Sequence, residues 1–179
     1  MLIVLYNALS VVVLAFYQPG QSTDWRSLLK HVVTNPLIVS VILALPFTAL
    51  PIPLPTWVIT SGDYFASLTL PLALICIGAT LSMSSMRDSS QVALGSSLMK
   101  MVTLPILSTL AAWMVGFSGE QLGLLFLFFA SPTAAASFVM VKAIGGNVAL
   151  AANIIAITTL MASVTVTLGV FALRLLGWI

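Results

Sequence analysis

The chain has 179 residues, 60% of them apolar and 6% charged, with a mean hydropathy of +1.18. Soluble domains carry about 25% charged residues, so these proportions exclude a water-soluble globular domain and point to an integral membrane protein. Six Lys/Arg against four Asp/Glu give a formal charge of +2, too small and too scattered for a nucleic-acid surface.

Six apolar stretches follow one another at 1–17, 36–50, 57–82, 92–115, 121–143 and 148–176, against the ~20 residues that a spanning helix needs. The first is short and begins at Met1 without a polar lead-in. It lacks the basic start and small-residue cleavage site of a signal peptide, and predicts a chain that starts part-way into a helix. The second opens at Asn35-Pro36, with Asn as N-cap and Pro at the first helical position. It ends in Leu50-Pro51-Ile52-Pro53-Leu54-Pro55, a stiff extended linker. Pro71 is expected to break the third stretch and release the Ser67 carbonyl, and Pro105 to do the same to the fourth, releasing Met101. Pro132 interrupts the fifth and opposes the carbonyl of Phe128. The sixth carries Asn153, Thr158, Thr159 and Ser163, polar atoms suited to joining helices or, for Thr158 or Thr159, to reaching a cavity.

Charge sets the orientation. Arg26, Lys30 and His31 lie in the first loop, Arg87 in the third and Lys142 in the fifth, whereas the second has no Lys or Arg and the fourth has only Glu120. Lys and Arg accumulate on the cytoplasmic side, so the pattern predicts a multi-pass protein of the cell (inner or plasma) membrane with both chain ends non-cytoplasmic. Arg174 runs against the bias, near enough to its helix end to snorkel.

The strongest candidate site is the interruption Ala130-Ser131-Pro132-Thr133-Ala134-Ala135-Ala136-Ser137. A membrane helix must satisfy its own backbone, and broken helices near the midplane are how many secondary transporters build a substrate site. The half-helix expected to start around Thr133 presents N–H groups and a partial positive charge. Ser131, Thr133 and Ser137 add hydroxyls that either meet a ligand or back-bond to helix carbonyls. A carboxylate suits such an end without a full positive charge. Ser131, Pro132 and Thr133 form the expected centre of substrate binding, with Ser137 contributing less. Two charges look embedded, Lys100 and Asp63. Lys100 either draws an anion from the cytoplasm or snorkels to headgroups; Asp63 is either a proton-coupling group or a solvated carboxylate. The only cysteine, Cys76, reads as a small buried packing residue, and His31 has no second ligand nearby. No catalytic pair, metal site or cofactor is expected.

Asn35-Pro36-Leu37-Ile38, Ile52-Pro53-Leu54-Pro55, Leu70-Pro71-Leu72-Ala73-Leu74 with Gly78 and Leu81, Lys100 to Pro105, and Ala130-Ser131-Pro132-Thr133-Ala134 followed by Gly145-Gly146-Asn147 stand in that order. As an ordered set, from about residue 35 to 179, they resemble the auxin efflux carrier family of bacterial and plant permeases. Ala44-Leu45-Pro46 departs from the family's glycine-rich second segment. The resemblance implies an all-α polytopic protein of two inverted five-helix repeats, each donating one broken crossover helix. On that scheme residues 1–17 are the last helix of an incomplete first repeat, 18–35 a cytoplasmic loop and 36–179 the second repeat: about six transmembrane helices, half of an inverted-repeat transporter.

The implied activity is secondary transport of small organic anions, auxin- or malate-type carboxylates. The implied partners are the lipid bilayer, the anion, and a missing first repeat or second subunit, a homodimer among the options. Two alternatives stand beside it. One is a sodium-coupled carrier of the bile-acid type, weakened because no acidic residue flanks Pro132. The other is a membrane fragment or subunit without transport of its own.

Overall fold

The computed structural model describes residues 36–50, 53–81 and 90–179, together with Leu5, Tyr6, Leu9, Ser10, Val12, Val13, Phe16 and Val33, each helical. Apart from those, the expected first span and the loop 18–35 lie outside the described residues, as does Arg87. The remaining elements are helices: α1 (Pro36–Ala49), α2 (Thr56–Thr80), α3 (Ser90–Leu98), a π-helical turn (Met99–Thr103), α4 (Leu104–Met114), α5 (Glu120–Phe129), α6 (Ala136–Ile144) and α7 (Val148–Leu175). Three continuous stretches, Thr56–Thr80, Gln91–Met114 and Val148–Leu175, are long and apolar enough to cross a membrane. Large side chains such as Phe65 (76%) and Leu160 (75%) are exposed on them, a surface that suits hydrocarbon and not water.

The chain forms two compact units. One holds the residues up to Cys76 and Ala136–Val148; the other holds Ile77–Ala135 and Ala149–Ile179.

Prolines act differently at each place. Pro71 was expected to break its helix, but α2 runs through it as 25 continuous residues. The residues around it are strong helix formers (Leu70, Leu72, Ala73, Leu74), and the turn before it is reinforced by hydroxyls: Ser67 Oγ donates to Tyr64 O at 2.8 Å and Thr69 Oγ1 to Phe65 O at 3.1 Å. One lost hydrogen bond is then tolerated within the span. Pro105 is accommodated by widening. The Leu104 N–H reaches back five residues to Met99 O, a π turn that absorbs the missing donor and places Lys100 inside it. Of these three prolines, only Pro132 interrupts its helix. The two pieces α5 and α6 have ten and nine residues, each about 15 Å at 1.5 Å per residue and so about half the hydrocarbon layer.

Helix α6 ends as its glycines dictate. Gly145, at φ 79°, lets its N–H reach Lys142 O while Gly146 N–H reaches Val141 O at 2.8 Å, satisfying the last carbonyls. Helix α7 ends the same way on Gly177, at φ 67°, with Trp178 N–H on Leu173 O at 3.0 Å. That turn brings Trp178 flat against Trp113, ring centres 4.7 Å apart and 7° from parallel. The Trp178 carbonyl accepts from Gly119 N–H at 2.8 Å, anchoring the start of α5.

The core of this unit joins α5 to α7: Phe126, Ala130 and Leu173 are buried, with Val166, Val170, Trp178 and Ile179 against them. A β-carbon on Gly169 would overlap the Phe126 ring, so the glycine is what lets that ring lie on the α7 backbone. Gly169→Ala is expected to cost about 1–3 kcal/mol, the usual range for overpacking. Thermal unfolding in detergent should show the loss, and in a Phe126→Leu background the added methyl should cost much less.

Candidate functional site

The break spans residues 130–135, between the end of α5 and the start of α6. Four backbone groups at its edges have partners that replace or close the helical pattern, as burial in hydrocarbon favours. The Ala130 N–H still closes the helix on Phe126 O at 2.8 Å. Phe128 O has lost its donor to Pro132, and Ser131 Oγ supplies a substitute at 3.0 Å. Phe129 O would accept from Thr133 N–H in a continuous helix. It accepts instead from Lys100 Nζ at 3.3 Å, a side chain 29 residues earlier. The Thr133 N–H turns to Thr158 Oγ1 at 3.3 Å, whose own proton goes to Ile154 O at 2.7 Å or Ile155 O at 3.1 Å.

Several expected site residues therefore gather in one unit. Ser131, Thr133, Lys100 and Thr158 all bond to the break or to each other across it. Lys100 is half-buried and does not snorkel away: it caps the carbonyl end of α5, where the helix dipole is negative and a cation is stabilising. The break thus has a full positive charge beside it, where the sequence pointed to dipoles alone. Ser131 spends its hydroxyl proton on the helix, so its role is to hold the break and to offer only its oxygen outward. Thr158 is fully buried, whereas Thr159 is exposed and returns its hydroxyl to Ile155 O at 2.7 Å.

Other expectations fare differently. The second half-helix starts at Ala136 and not around Thr133. Ser137 falls in its first turn, in the other compact unit. Asp63 is exposed on α2. Cys76 was expected to be buried but is exposed; it lines an open groove of about 510 Å³ with Phe138 and Lys142. Ser97 escaped the sequence reading. It sits one turn before Lys100, wholly buried, and among the described residues its hydroxyl has no hydrogen-bond partner, an unusual cost for a small polar group. Asn153 is likewise buried, five residues before Thr158. Among the described residues, no cluster of His, Cys, Asp or Glu could hold a metal ion.

A family model described as membrane transport protein, that of the auxin efflux carriers, matches residues 24–170. The chain belongs to this family. It is a membrane transport protein. No curated protein and no solved structure gave a match.

The two neighbouring threonines of this family member separate a load on the break from a load on the helix. Thr158→Val leaves the Thr133 N–H without its acceptor and should cost about 1–3 kcal/mol, with Thr158→Ser restoring most of it. Thr159→Val should stay within about 0.5 kcal/mol of the parent. Thermal unfolding of the three variants in one detergent checks the ranking.

Proposed function

We propose that the chain is part of a secondary transporter of small organic anions, carboxylates of the auxin or malate type, and that the carboxylate is recognised at the break around Pro132. The observation that carries this reading is the Lys100 ammonium, 3.3 Å from Phe129 O at the interrupted end of α5. An ammonium has three donors, and Phe129 O occupies one. The free carbonyls at a helix C-terminus repel an anion, so Lys100 decides the sign of the site. A carboxylate arriving there exchanges solvent for a charge-assisted hydrogen bond, with Ser131, Thr133 and Thr158 fixing the backbone around it.

The two-repeat scheme of the family supports a partner repeat facing this one, whether from the same polypeptide, a separate chain or a second copy. The loop charges support a cell-membrane location with both ends of the chain on the non-cytoplasmic side.

Binding is tested by thermal shift of the purified chain with indole-3-acetate and with malate. The reading expects at least one of them to stabilise the parent. Lys100→Arg should keep that increment and Lys100→Gln lose it, each variant being compared with its own ligand-free sample because the cap itself contributes stability. An unaltered increment in Lys100→Gln, or no response of the parent to either anion, contradicts the reading. Pro132→Ala should lower carboxylate transport in vesicles holding the assembled carrier while membrane abundance stays the same.

A further inference from the structure

A second feature lies away from the break, where the N-terminal end of α5 meets the C-terminal end of α7. An open groove of about 380 Å³ is lined there by Glu120, Leu124 and Leu127 on one side and by Val170 and Arg174 on the other. The spacing makes two continuous stripes. Glu120, Leu124 and Leu127 recur at helical intervals down one face of α5, and Val170 and Arg174 do so on α7. Each stripe has its charge at the helix end and its apolar residues inward, and Glu120 to Leu127 covers about 10 Å at 1.5 Å per residue. Gly123 lies on the floor, with the Ile179 side chain against it. Leu124 and Leu127 remain exposed.

We propose that this groove holds a phospholipid whose headgroup carries a primary amine. The two charges fit the two charges of such a headgroup. A guanidinium pairs with phosphate through two parallel hydrogen bonds, and the Glu120 carboxylate accepts from the ammonium. The acyl chain continues along Leu124, Leu127 and Val170. Glu120 and Arg174 share the groove without forming an ion pair with each other, so both stay open to an outside partner. The arrangement also accounts for Arg174 standing against the loop-charge bias. A quaternary choline cannot donate a hydrogen bond to Glu120, and an anionic headgroup is repelled by it. The groove is therefore selective and not merely greasy. It owes nothing to the reading of the break.

Native mass spectrometry of the purified chain tests this, with phosphatidylethanolamine, phosphatidylcholine and phosphatidylglycerol of identical acyl chains. The ethanolamine lipid should be retained about threefold to fivefold better than the choline lipid, the range for a partly exposed charge contact. Glu120→Gln should erase that preference and improve retention of the glycerol lipid. Arg174→Gln should weaken all three. Both side chains are exposed, so neither change disturbs the fold, which circular dichroism verifies. Equal retention of the three lipids by the parent, or a preference that survives both substitutions, overturns the proposal.

Discussion

Hydrocarbon supplies no hydrogen-bond partner, and that constraint governs the residues around Pro132. Proline removes one donor and the helix stops at Phe129, leaving the Phe128 and Phe129 carbonyls and the Thr133 N–H without their helical partners. Three side chains meet those groups: Ser131 from the break itself, Lys100 from the π turn and Thr158 from α7. Each arrives from a different element, so the break is also the place where those elements are tied together. Without such partners, each unpaired group would cost a few kcal/mol, roughly the net stability of a small domain when summed.

The two later prolines are connected through this arrangement. Pro105 forces the π turn at Met99–Thr103, and one additional residue in a turn rotates what precedes it by about 100° relative to an α-helix. Lys100 sits within that turn, and its ammonium reaches the end of α5. A positive charge at a helix C-terminus is held by the dipole, yet the same charge is what an incoming carboxylate would seek. On the proposed reading of the break, structure and recognition draw on one cation.

Much of this was legible in the sequence, because hydrophobic length and proline are local signals. The helical stretches from residue 36 onward appeared within a few residues of their expected limits, and the interruption fell where small and polar residues surround Pro132. The same reasoning misjudged Pro71, since the loss of one backbone donor does not by itself decide whether a span continues. It offered two roles for Lys100 and missed the third, because a contact across 29 residues leaves no trace in local pattern. The choice of Thr158 over Thr159 depends on the rotation of α7, which a residue list does not contain. Gly169 was silent for a related reason: its importance lies in the Phe126 ring that covers it.

The central claim is that Lys100 closes the end of a helix that Pro132 has interrupted. Solid-state NMR of the chain in bilayers addresses it directly, with uniform 13C labelling for the backbone shifts and, in a second sample, 15N at lysine Nζ and 13C at phenylalanine carbonyls for the distance. The account predicts non-helical carbon shifts through residues 130–135, together with a short nitrogen-to-carbonyl distance assigned to Phe129 that disappears in Lys100→Met. Helical shifts running unbroken through those residues, or a Phe129 carbonyl remote from every lysine nitrogen, would contradict it.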